Sequence, residues 1–207
     1  MGSRSSFALA AVLFARALPA QIIEFESGGL KYRTLTRGGV TIMWAHLPIH
    51  IKEYAVLQVA VSNGSPVSWQ VKPQDFKFEK PEGEIGAALP AGTVVGTLME
   101  KATRGEVIKL ITAYEAALTG NARMHSTNGY EERRQNAQAE LGGGKLRAAA
   151  AASAIAFVAT KLLPGQSTDG AIFFVNGGKP LGAGKLIVDA AGERFEFPVD
   201  VEGRARP

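Results

Sequence analysis

The run Glu53–Ser62 (EYAVLQVAVS) constrains the fold more than any other segment. It contains neither Gly nor Pro, and it alternates with the period of a strand. Ala55, Leu57, Val59 and Val61 share one face. Tyr54, Val56, Gln58, Ala60 and Ser62 share the other, which reads as half-exposed. A strand with one apolar face needs neighbours and an opposing layer. The flanking sequence supplies candidates. Leu30–Arg37 (LKYRTLTR) and Val40–His46 (VTIMWAH) are separated by Gly38-Gly39, a two-residue hairpin signal. Asn63-Gly64-Ser65-Pro66 forces a turn, and Val67–Val71, Lys72-Pro73-Gln74 and Asp75–Glu79 read as strand, turn and strand. Short strands joined by turns predict an antiparallel β-sandwich.

The period changes near residue 103. Thr103-Arg104-Gly105-Glu106 has the form of a capping box. Val107, Leu110, Ile111, Tyr114 and Leu118 then fall on one face of a helix, which Gly120 stops. Tyr130–Leu141 predicts a polar helix, broken by Gly142-Gly143-Gly144. Leu146–Leu163 predicts a third helix, uncharged from Ala148 to Thr160 and stopped by Pro164-Gly165. A helix apolar on every side is expected in a core, with a lipid or partner surface as the second reading. Its uncharged stretch is too short to cross a bilayer, which takes about 20 residues. Strands return at Ala171–Val175, Gly184–Asp189 and Arg194–Val199. Gly177–Gly184 reads as a hairpin loop and Ala190-Ala191-Gly192-Glu193 as a tight turn. The expected architecture is one sandwich domain over residues 21–207, mainly β, with a helical insert over residues 101–163.

The first twenty residues read separately. Arg4, the apolar run Phe7–Phe14 and Ala15-Arg16-Ala17 have the layout of a secretory signal peptide, so residues 1–20 are expected to be removed on export to the periplasm or cell surface. Loss of Arg4 and Arg16 would bring the formal charge of +4 down by two. Lys and Arg alternate with acids instead of forming a basic stripe, which argues against a nucleic-acid binder. Cys is absent, so disulfides, thiol nucleophiles and thiolate metal sites are excluded.

Catalytic motifs do not assemble. His46 and His50 have the spacing of helical zinc ligands, but Pro48 lies between them in strand-like sequence. On a strand, four residues span about 13 Å, too far to share an ion. His125 stands in a polar stretch. Around Gly144-Lys145 and Gly184-Lys185 the first Gly of a phosphate loop is missing, and Leu146 and Leu186 replace its Ser or Thr. Ser167-Thr168-Asp169-Gly170 reads as a turn before a strand. Glu131-Glu132 and Glu82-Gly83-Glu84 pair carboxylates in polar segments, without the apolar pocket that raises one pKa. Trp44 and Trp69 read as core or rim residues. No catalytic residue, cofactor or metal ligand is expected.

Tyr54–Phe78 (YAVLQVAVSNGSPVSWQVKPQDFKF) resembles a stretch of exported immunoglobulin-like, telokin-like accessory domains of unknown function. In these domains a strand ends at Asn and a "P-x-x-F-x-F" strand follows the turn. Gly165–Phe174 and the hairpin Lys185–Phe197 resemble the terminal strands of the same domains. The resemblance implies an immunoglobulin-like sandwich of the cell envelope and carries over no catalytic residue. It leaves the helical segment uncovered.

The functional expectation is an exported, non-enzymatic binding or structural module with a protein partner in the envelope. Tyr130, Glu131, Glu132, Arg133 and Arg134 are the candidate partner surface. The alternative is an envelope hydrolase or sugar-active enzyme with a site between insert and sandwich, using Glu131, Glu132 and His125.

Overall fold

A computed structural model of the chain describes residues 21–49, 51–119 and 153–200. Eleven strands form among them: β1 (Ile23–Ser27), β2 (Leu30–Arg37), β3 (Val40–His46), β4 (Tyr54–Asn63), β5 (Trp69–Val71), β6 (Phe76–Glu79), β7 (Ile85–Ala87), β8 (Thr160–Leu162), β9 (Ser167–Val175), β10 (Gly184–Ala190) and β11 (Glu193–Val199). Two long helices lie between β7 and β8: α1 (Ala91–Lys101) and α2 (Arg104–Thr119).

The chain is mainly β and its strands pair antiparallel. One sheet has the order β1-β2-β3-β4-β9, a second β11-β10-β6-β7, and β5 pairs with β8. The turns predicted at Gly38-Gly39 and Ala191-Gly192 are present, with positive φ at all four residues. The two larger sheets face each other across one core. Leu35, Ile42, Trp44, Leu57, Val59, Val61, Ile172 and Phe174 from the first sheet meet Phe76, Phe78, Leu186, Val188, Phe195 and Phe197 from the second. This is a sandwich packing.

The opposite face of β4 is half-exposed only towards its end, at Ala60 and Ser62. Tyr54, Val56 and Gln58 are buried, because α1 and α2 lie across that face. Val94, Leu98, Val107, Leu110, Tyr114 and Ala117 pack there against Tyr32, Met43, Ala45, Val56, Ala171 and Phe173. The first sheet is therefore the middle of three layers. This explains the apolar residues on both sides of β3 and β4.

α2 begins where predicted. Glu106 Oε2 accepts from the Thr103 N–H and hydroxyl, each at 2.8 Å, and the Glu106 N–H donates to Thr103 Oγ1 at 3.3 Å. α1 begins at Ala91, ahead of the expected boundary at residue 101. Its Gly92, Gly96, Thr93 and Val95 are weak helix formers, and the helix rests instead on burial of Val94 and Leu98.

Both stems of the helical layer cross the outer edge of β9. The Leu89 N–H donates to the Phe173 carbonyl at 2.9 Å, and the Phe157 N–H to the Ala171 carbonyl at 2.9 Å. Past Phe157 the predicted third helix gives way to β8. Thr160 and Leu162 pair there with Val71 and Trp69, so available strand partners override the local helical pattern. The rest of that expected helix, and all of Tyr130–Leu141, fall in residues 120–152, outside the described residues. Two further readings change. Ser167–Gly170 is the first half of β9 and not a turn, with Thr168, Asp169 and Gly170 buried opposite β4. Gly177–Gly184 is not a hairpin loop, since it links β9 in one sheet to β10 in the other.

Candidate functional site

Four turns gather at one end of the sandwich: β2–β3, β4–β5, β8–β9 and β10–β11. The Gly64 N–H donates to the Gly39 carbonyl at 2.8 Å, and the Glu193 side chain reaches Gly38. Asn63, the last residue of β4, organises this end and is fully buried. Its Nδ2 donates to the carbonyls of Val67 at 2.8 Å and Leu162 at 3.1 Å. Its Oδ1 accepts from the Ser65 N–H at 3.0 Å and the Ser65 hydroxyl at 2.6 Å. Both amide donors and both oxygen lone pairs are thus used. Its backbone N–H donates to the Gln166 carbonyl at 2.8 Å, and its carbonyl accepts from Gly165 at 2.6 Å.

One amide therefore ties the β4–β5 and β8–β9 loops together. Gln166 Oε1 adds a bond from the Leu163 N–H at 3.0 Å, and Pro66 and Pro164 restrict φ beside the exposed residues. On this fixed frame Val67 is 65% exposed and Leu163 46% exposed. Loops held this tightly lose little entropy when a partner docks, and exposed apolar side chains on them gain from being covered. The turn was legible as Asn63-Gly64-Ser65-Pro66. Its junction with Leu162 and Gly165, about a hundred residues on, was not.

A second polar group is buried under the helices. The Tyr32 hydroxyl donates to Gln58 Oε1 at 2.7 Å and lies 3.4 Å from the Ala117 carbonyl of α2. The Tyr114 hydroxyl of α2 donates to Asp169 Oδ2 on β9. All four side chains are buried. These bonds give α2 a defined position on a face that is otherwise apolar. Nothing in the sequence marked the group, since Asp169 read as a turn residue.

Elsewhere, two carboxylates are engaged in bonds near the surface. Asp189 accepts from Arg194 and from Lys77, each at 2.9 Å, and the Arg194 bond first, then that of Lys77, hold its carboxyl below the usual range. Bonds from Thr103 lower the Glu106 carboxyl, helped by Lys52 at 3.3 Å. Both shifts run opposite to what a general acid near neutrality needs.

The residues singled out from sequence are dispersed. His46 sits on β3 beside Trp44, while His50, His125 and the candidate surface Tyr130–Arg134 lie outside the described residues. Glu82 and Glu84 occupy the exposed β6–β7 turn, where Glu84 meets Lys80 at 2.7 Å. Trp44 lies in the core under the Arg33 guanidinium, and Trp69 packs against the core from β5. Among the described residues, no group of three or more His, Asp or Glu is placed to hold a metal ion. No helix there is long and apolar enough to cross a membrane. The chain matches no family model, no curated protein and no solved structure.

Proposed function

We propose that this protein is an exported, non-enzymatic binding module of the cell envelope, and that the Asn63-stapled loops dock a protein partner. The observation that carries the reading is the pairing of exposed Val67 and Leu163 with loops held by the fully bonded Asn63 amide. Residues 1–20 support export by their signal-peptide layout. The immunoglobulin-like assignment rests on the Tyr54–Phe78 and Gly165–Phe197 resemblance. In its favour, the residues that carry the resemblance, Asn63, Phe76 and Phe78, are all buried. The run of four consecutive strands β1–β4 in one sheet departs from the immunoglobulin order, in which the third strand changes sheet. The segment Tyr130–Arg134 is proposed as a second contact.

The test is crosslinking and affinity recovery from native envelopes. It compares the wild type, Val67→Asp with Leu163→Asp, and the combined alanine variant of Glu131, Glu132, Arg133 and Arg134. The loop variant should fold and recover the partner several-fold less well. Unchanged recovery by the folded loop variant would remove the loops from the site. An intact mass of the native protein that retains residues 1–20 would overturn export.

A further inference from the structure

The open edge of a sheet is a template for strand addition unless something blocks it. The outer edge of β9 is covered by its own chain at Leu89 and Phe157. β7 is only three residues long. Among the described residues β11, with seven, is the long edge of the second sheet with no strand paired outside it, and it carries a different set of blocks.

Two arginines of β2 reach it from the sheet below. Arg37 Nη1 donates to the Arg194 carbonyl at 2.6 Å, and Arg33 Nη1 donates to the Pro198 carbonyl at 2.7 Å. Arg194 and Pro198 are in phase along the strand, so both carbonyls belong to the same row. Pro198 has no N–H to offer a ladder. Arg33 is held in place by Glu24 Oε1 at 2.8 Å and by the Trp44 ring, 5.5 Å from its guanidinium carbon. Glu24, on β1, stands on the face that a strand added to β11 would have to cover.

We propose that Arg33, Arg37 and Pro198 are edge guards, and that the occupant they exclude is β11 of a second copy of this chain. The argument for a second copy is charge register. Antiparallel pairing centred on Phe195 sets Arg194 of one copy opposite Glu196 of the other, twice over. It also keeps Phe195 and Phe197 on the core side. In that register the Arg194 carbonyl is a ladder acceptor, and the Arg37 guanidinium occupies the place of the incoming N–H. The edge is complementary to itself over Glu193–Phe197 and is shut there by Arg37, while Pro198, which would stand opposite Gly192 of the other copy, and Arg33 keep the ladder from running further.

The experiment measures mass by light scattering and sedimentation across a range of concentrations. The probes are the wild type and the variant Arg33→Gln, Arg37→Gln, Pro198→Val, with circular dichroism as the check on folding. The wild type should keep the mass of one chain, while the variant should double its mass as concentration rises. Adding Glu196→Arg, which sets like charges opposite each other, should return the variant to one chain. A folded variant that stays at one chain, a dimer indifferent to Glu196→Arg, or a wild type already paired through this edge would each overturn the proposal. If the triple variant does not fold, Arg37→Gln with Pro198→Val, which leaves Arg33 on Trp44, is read by the same outcomes.

Discussion

Gly170 lies directly beneath Phe157: a Cβ on Gly170 would stand 2.5 Å from the Phe157 Cα and 2.7 Å from its nitrogen. The absent side chain lets the chain returning from the helices cross the edge of β9 and enter the sandwich core. There Phe157 meets Phe76 edge-on, with ring centroids 5.5 Å apart. Gly170→Ala should push backbone against backbone and cost about 3 kcal/mol, measured by urea denaturation. A cost within error of zero would mean that the crossing is looser than described.

Asn63 offers a second measurement. Removing its amide leaves the carbonyls of Val67 and Leu162 and the Ser65 groups without their shared partner. Asn63→Ala should cost about 2–4 kcal/mol, and proteolysis should accelerate in both the β4–β5 and β8–β9 loops. Acceleration in only one loop would show that the amide does not couple them.

The helical layer can be probed by phase. Leu110 is fully buried against the first sheet, whereas neighbouring Lys109 is exposed. Leu110→Ala should cost about 2–5 kcal/mol and Lys109→Ala should stay within about 0.5 kcal/mol. Ile111, expected on the buried face, is only partly covered, so Ile111→Ala should fall between them. Equal effects at Leu110 and Lys109 would refute the rotation of α2.

The cap of α2 predicts an acid dependence. The folded-state pKa of Glu106 is lowered from 4.5, chiefly by the Thr103 backbone and hydroxyl bonds and then by Lys52. Its contribution is therefore complete above 4.5 and is lost as pH falls through the lowered value. Glu106→Gln should be less stable than wild type at about pH 6, and the gap should narrow by about pH 3. A gap that is constant with pH would show that the carboxylate is not the capping group.

The strands and turns were legible because they depend on neighbours in sequence. Leu30–Arg37 and Val40–His46 about Gly38-Gly39 carry their alternation and their turn within one stretch, and so does the Thr103–Glu106 cap. The site was only half legible. Asn63 could be read as the start of a turn, but its hold on Leu162 and Gly165 depends on where β8 and β9 arrive.

Local pattern decided strands such as β2, β3, β4, β10 and β11 and which face of each is most apolar. Tertiary structure decided that Tyr54, Val56 and Gln58 on the second face of β4 also lie beneath helices. It made Thr160–Leu162 a strand despite its helical sequence, and brought Asp169 under Tyr114. The physical reason is range. Period and turn chemistry act over a few residues, so the sequence carries them locally. Burial of a second face, pairing of a short strand and a partner for a buried carboxylate come from segments tens of residues away, as in the 55 that separate Tyr114 from Asp169. A local pattern holds no record of them.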